Sequence, residues 1–253
     1  MKFSFTRVVL VFIAVFAVFS CGNRKEIVYL QNIDSVSSYE SSKSYEAKLQ
    51  PDDLLSIIVS ADSPEVTAPF NLPDFEGNDA ENRGFKTYLI DSSGFIDFPI
   101  LGKQKLGGLT RTEAHARLVA AISEYINNPT INLRIVNYKI SVLGEVLKPN
   151  SYTISGERIT ILEAISMAGD LTIYGKRENV LVIREVEGKK TFARLDLTKS
   201  DILNSPFYYL GQNDVVFVEP NKTKINSSKI GPDVSVIISS LSVLIALGVL
   251  LTR

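Results

Sequence analysis

The sequence predicts an α+β fold in two successive units, closed by a single C-terminal transmembrane helix. Three observations carry this. Two T-x-x-E helix starts, at Thr110/Glu113 and Thr160/Glu163, each lie between stretches of alternating apolar residues. The alternation lapses near Asn137, which divides the body. An uncharged run of 18 residues, Val234 to Leu251, lies near the end of the chain. As a helix it would be about 27 Å long, close to the hydrocarbon thickness of a bilayer.

The first twenty residues form a signal peptide. Lys2 and Arg7 precede an apolar stretch, Val8 to Phe19, and Ser20 leads into Cys21. About twelve apolar residues make a helix of roughly 18 Å, too short to span a bilayer. Cys21 is the sole cysteine of 253 residues, so no disulfide forms within one chain. A cysteine just after the small residue resembles the lipobox of bacterial lipoproteins, with Val18 and Phe19 departing from its commonest form. Cys21 is therefore the expected lipidation site. Residues 21–44 include the serine-rich stretch Asn32 to Ser44 and read as a flexible tether between lipid and body.

The first unit spans 45–136. Asp53 to Ser60 is its first strand. Residues 61–85 read as a long solvated loop with Pro64, Pro69 and Pro73 and with Asp74, Glu76, Asp79 and Glu81, without the spacing of a calcium loop. Thr87 to Ile90 and Phe95 to Pro99 flank Asp91-Ser92-Ser93-Gly94 and read as a hairpin. Thr110 caps a helix whose buried face is Ala114, Leu118, Ala121, Ile122 and Tyr125. Asn127-Asn128-Pro129 stops it, and Ile131, Leu133 and Ile135 alternate as a strand.

The second unit spans 137–222. Tyr138 to Leu143 is a strand, followed by a turn-rich connection from Gly144 to Tyr152. Thr160 caps a helix with Leu162, Ile165, Met167 and Ala168 as its apolar face, ended by Gly169. Strands follow at Val180 to Ile183, Phe192 to Leu195 and Val215 to Val218. Residues 223–233 are a linker into the transmembrane helix at 234–251. Ser235, Ser239, Ser242 and Ala246, at spacings of four, three and four, share one helical face. They are the candidate helix-packing or pore-facing residues. The alternative is that the hydroxyls bond carbonyls one turn back and the helix is a plain anchor.

Composition narrows the function. The formal net charge is −1, with no basic face for nucleic acid. One histidine and one cysteine argue against a metal site, and His115 lies off the buried stripe of its helix. No nucleophile motif or phosphate loop is present, so no cofactor is expected beyond the lipid on Cys21.

From Tyr45 to Pro220 the body resembles the Wza-type polysaccharide export proteins, an outer-membrane lipoprotein family. The resemblance lies in Pro51-Asp52-Asp53-Leu54, Ile90-Asp91…Gly94-Phe95-Ile96…Pro99-Ile100-Leu101-Gly102, Leu109-Thr110…Glu113-Ala114 and Pro129-Thr130-Ile131. Val142-Leu143-Gly144-Glu145-Val146…Pro149…Tyr152, Ile161-Leu162…Ala168-Gly169-Asp170-Leu171 and Gly211 to Val218 are similar to a soluble-ligand-binding β-grasp (SLBB) domain. Asp52, Asn150 and Asp170 replace usual glycines. The resemblance implies an export domain followed by a β-grasp SLBB domain, in a homo-oligomeric ring around a lumen. It implies a periplasmic body lipid-anchored to the outer membrane and export of capsular or exopolysaccharide. An inner-membrane polysaccharide co-polymerase would be a partner. The rival readings are a lipid-anchored carbohydrate-binding or scaffolding module, and an enzyme on the exported glycan, for which no sequence feature speaks.

Overall fold

A computed structural model describes residues 27–33, 46–72, 86–186, 188–229 and 232–251. Cys21, the signal segment and the four loop carboxylates Asp74, Glu76, Asp79 and Glu81 lie outside them. The described chain is a mixed α and β protein with two hydrophobic cores, one on each side of Asn137.

The first unit is built on strand β1 (Leu54–Ser60), which pairs antiparallel with β2 (Tyr88–Leu89) on one side and β5 (Thr130–Ile135) on the other. Alternation along β1 and β5 sends Leu55, Ile57, Val59, Ile131 and Leu133 into one core. Helix α2 (Arg111–Ile122) covers it with Ala114, Leu118 and Ile122. Its capping box is formed as predicted: the Glu113 amide donates to the Thr110 hydroxyl, and the Thr110 amide to the Glu113 carboxylate.

Several expectations change here. The loop at 61–85 opens with a short helix, α1 (Pro64–Thr67), and a 3₁₀ turn (Ala68–Phe70), whose Phe70 joins the core. The hairpin across Asp91 to Gly94 narrows to its turn. The Asp91 amide donates to the Phe95 carbonyl at 2.8 Å, and Gly94 takes φ +83°. Beyond it the strands diverge, since β2 belongs to β1. Strand β3 (Phe95–Phe98) instead pairs with β4 (Gly102–Lys105), an element the polar sequence Gly-Lys-Gln-Lys does not announce. Tyr125 is exposed. Ile126, one residue on, takes the core position, because the helix ends at Ile122 and its angular phase stops there.

The second unit is a five-stranded sheet, in the order β10-β9-β12-β6-β7. Its strands are β6 (Lys139–Gly144), β7 (Asn150–Thr153), β9 (Gly175–Val186), β10 (Lys189–Leu195) and β12 (Val215–Pro220). Only β12 and β6 run parallel; the other pairs are antiparallel. Two short strands, β8 (Ile159–Thr160) and β11 (Tyr209–Leu210), pair beside it. Helix α3 (Ile161–Met167) follows β8 behind its own capping box and buries Ile161, Ala164 and Ile165. Met167 is exposed rather than packed, since a helix this short turns only one narrow face to the sheet. Part of the turn-rich connection is itself strand β7. Asp52 and Asp170 take left-handed backbone, φ +70° and +77°, as residues in the place of glycine must. Asn150 does not, because it opens β7.

Part of the expected tether is folded. In residues 27–33 the Leu30 amide donates to the Leu197 carbonyl at 3.1 Å and the Gln31 amide to Thr198 at 2.7 Å. The Ser200 amide donates to the Asn32 side chain at 2.7 Å. The segment is a strap on the second unit, held by backbone pairing that composition does not reveal. After β12 come helix α4 (Lys222–Lys229) and helix α5 (Pro232–Leu251). The expected transmembrane segment is thus helical, yet among the described residues no helix is long and apolar enough to cross a membrane. Ser239, Ser240, Ser242 and Gly248 interrupt its apolar run.

Gly144 is where the sheet tolerates no side chain. It has φ +92°, and a Cβ there would stand 2.1 Å from the Val218 carbonyl oxygen of β12. Gly144→Ala is expected to lower stability by roughly 2–4 kcal/mol, through left-handed strain and a broken parallel pairing. Thermal unfolding followed by circular dichroism checks this, with Gly188→Ala as the comparison: Gly188 shares the positive φ, but nothing lies within 4 Å of its Cβ position.

Candidate functional site

Three places carry the polar chemistry of the body: the joint between the units, the cleft beside it and the corner where the chain ends leave. The joint is an amide relay. The Asn137 side chain accepts from the Leu54 amide and donates to the Asp52 carbonyl, both at 2.9 Å. Its backbone carbonyl accepts from the Gln212 side chain at 2.9 Å, and that side chain accepts from the Lys139 amide at 2.8 Å. Two side chains therefore satisfy the backbone of both units where the sheets part.

Asp53 lies in the same turn and is 1 % exposed. One carboxylate oxygen accepts from the Gln50 amide at 2.8 Å, and the other has no partner. Burial pushes the carboxyl up to about 6; the charge of Asp52 adds to this and the Gln50 amide opposes it.

The cleft beside the joint encloses about 670 Å³ and is lined by both units. Arg111, Arg134 and Arg158 face it, with Glu46 and Glu157. Glu46 is engaged at the start of α2, where it accepts from the Thr112 hydroxyl at 2.8 Å. Glu157 pairs with Arg111 at 3.2 Å across the seam. Both partners of that pair are solvent-exposed, so its contribution is small. Arg158 lies over the Tyr209 ring at 5.2 Å. The walls offer guanidinium donors, carboxylates and an aromatic face to a polar chain, with no nucleophile and base held together.

Of the sequence-predicted residues, Cys21 lies outside the described residues and the Ser235 side chain is not described. Ser239 donates to the Val236 carbonyl at 2.9 Å, and Ser240 does the same to Ile237. Ser242 and Ala246 are exposed on the same helix. His115 is half-buried on α2. Among the described residues no cluster of histidine, cysteine, aspartate and glutamate could hold a metal ion. Sequence reasoning placed the join near Asn137 but missed that its side chain, with that of Gln212, forms it, and it missed the strap. The only signal was an amide at the point where the periodicity lapses.

This architecture has named relatives. Residues 41–136 match the polysaccharide biosynthesis/export protein family, and residues 138–218 match the SLBB domain. The two matches meet at the joint and together take in most of the chain, which belongs to the Wza-type polysaccharide biosynthesis/export proteins. The EPS I polysaccharide export outer membrane protein EpsA of Ralstonia solanacearum is 27% identical over 183 residues, covering 67% of this chain and 47% of that protein. Its counterpart in Ralstonia nicotianae is 28% identical over 145 residues, covering 52% of this chain and 37% of that protein. The chain thus matches less than half the length of these curated relatives. The family is one of transport rather than catalysis.

The bare carboxylate at the joint has a measurable consequence. A raised carboxyl pKa means the folded state holds its proton more tightly than the unfolded chain. Stability therefore falls as pH rises from the ordinary carboxylate range, about 3.9, through about 6. Asp53→Asn is expected to match the wild type near pH 4 and to melt roughly 5 °C higher at pH 7.5. Melting curves across that range check it, and a constant offset at all pH values would contradict the cause.

Proposed function

We propose that the chain is a subunit of an outer-membrane export channel that passes capsular or exopolysaccharide from the periplasm to the cell surface. The carrying observation is the ordered pair of matched domains on either side of one rigid joint. The outer-membrane export role named for the two relatives supports the same reading. In this reading Cys21 carries lipid, the body hangs in the periplasm, and an inner-membrane co-polymerase delivers the polymer.

A homo-oligomeric ring suits α5. Its run carries hydroxyls and a glycine, and among the described residues no helix is long and apolar enough to cross a membrane. In a closed ring of such helices the weaker face, Ser235, Ser239, Ser242 and Ala246, turns to a neighbour or to a wet lumen, and only the apolar face meets lipid. One acyl chain binds a membrane marginally, but a ring multiplies the anchors. A hydrated polymer in transit needs weak, repeated contacts, and the arginines of the cleft are suited to make them.

A second reading is a lipid-anchored carbohydrate-binding or scaffolding module without its own channel. One observation favours it: the described part of α5 falls short of a membrane span. Deletion separates the two. The channel reading expects loss of surface polysaccharide with polymer retained in the periplasm, and ring-shaped particles of the full chain in detergent. Retained surface polysaccharide, together with monomeric particles, would overturn it.

A further inference from the structure

The two ends of the folded body leave from one corner of the SLBB domain, the loop from Asp170 to Arg177. On the N-terminal side, the Tyr29 hydroxyl of the strap donates to the Asp170 carboxylate. The Arg177 guanidinium lies over the Tyr29 ring at 5.3 Å. Arg177 is buried and donates to the carbonyls of Leu171, Thr172 and Gly175, each at 3.3 Å, which fixes the loop from inside. On the C-terminal side, the Asn221 amide donates to the Tyr174 carbonyl at 2.7 Å. Lys224 of α4 lies over the Tyr174 ring at 5.3 Å and pairs with Glu145 at 3.9 Å. The same loop is gripped by the strap and by the root of the C-terminal helices.

This corner is apolar where it should be polar. Ile173, at the loop tip between the anchored residues Thr172 and Tyr174, is 71 % exposed. Leu147 is 65 % exposed; its amide donates to the Asp170 carbonyl at 3.1 Å, and its side chain covers Gly169. Exposed Met167 ends the neighbouring helix α3. The loop is held too firmly to fold these side chains inward. Beside them α4 carries Lys222, Lys224 and Lys229 and no acid. Beyond it, α5 presents Val236, Ile237 and Leu244 bare.

We infer that the Asp170–Arg177 corner rests on a phospholipid bilayer, with Ile173 and Leu147 in the boundary between headgroups and acyl chains and the α4 lysines among anionic headgroups. This rests on the reading of Cys21 as lipid-bearing and of α5 as membrane-bound. The occupant follows from where the chain goes. Five residues separate Cys21 from the strap residue Ile27, a reach of about 20 Å when extended. The other end runs at once into α5. A patch tethered to lipid on both sides meets the bilayer at high effective concentration. An apolar tip rimmed by lysines is the composition that binds such an interface.

The chain contains no tryptophan, so Ile173→Trp and Leu147→Trp each install a sole reporter in the full acylated protein. Leu89→Trp on β2 and Phe192→Trp on β10 serve as references, since those residues are 56 % and 65 % exposed. Each variant is reconstituted in phosphatidylethanolamine–phosphatidylglycerol vesicles, with and without dibrominated acyl chains. The reporters at 173 and 147 are expected to emit at shorter wavelength and to lose roughly half their intensity to the bromines, while the references keep theirs. Equal quenching at 173 and 89 overturns the inference, as does failure of the chain to bind the vesicles. A short-wavelength reporter that bromine does not quench overturns it too, by showing a second copy over the patch. Normal surface polysaccharide with an unquenched reporter sinks the bilayer contact alone. A quenched reporter in a protein whose deletion leaves surface polysaccharide intact sinks the export reading alone.

Discussion

At Asn137 one side-chain amide serves as donor and acceptor for the Asp52–Leu54 turn, while its own carbonyl is held by Gln212. Strand β1 lies at the centre of the first sheet, and β6 begins two residues after Asn137. The relay therefore couples the central strand of one unit to the first strand of the other. A flexible linker at this point would let the two cores tumble separately. The amide pair removes that freedom without a large apolar interface, because each buried backbone group it satisfies would otherwise cost about 1–3 kcal/mol. The cleft lined by Arg111, Arg134 and Arg158 lies beside this joint.

The second unit secures its loops by the same means. Arg184 forms a bidentate pair with the buried Asp214, Nη2 to Oδ2 at 2.7 Å and Nε to Oδ1 at 3.1 Å, and donates to the Tyr209 carbonyl at 2.7 Å. Its guanidinium also covers the Phe207 ring at 4.7 Å. One side chain thus organises the loop between β11 and β12. Arg177 does this for the Leu171–Gly175 loop with carbonyls alone. Such buried guanidiniums tie the loops of the second unit, Arg184 with every nitrogen and Arg177 through its two terminal nitrogens. Their cost is desolvation, offset by the acceptors the donors find.

The strap and the root of α4 meet the same loop, Asp170–Arg177. Helix α5 is the weakest element taken singly and the one that gains most from company. Its serine hydroxyls already close on carbonyls three residues back, which lowers the cost of placing them in an apolar medium.

The local rules were legible in the residues. Thr110/Glu113 and Thr160/Glu163 predicted both of these helix starts correctly, alternation identified β5 and β6, and apolar stretches identified β1 and β12. These features depend on neighbours within four residues, where backbone geometry and hydrogen-bonding chemistry decide alone. What was not legible lies at longer range. β4 is polar and becomes a strand only because β3 has an open edge to offer. Tyr125 yields the core to Ile126 because of where α2 stops. Serine-rich composition predicted a loose tether, yet residues 27–33 find free backbone groups on Leu197 and Thr198. The sequence by itself determined the order of elements, the two cores and the apolar ends. The tertiary structure decided which edges pair, that both ends share one corner, and that two amides lock the join, because those contacts link residues dozens of positions apart.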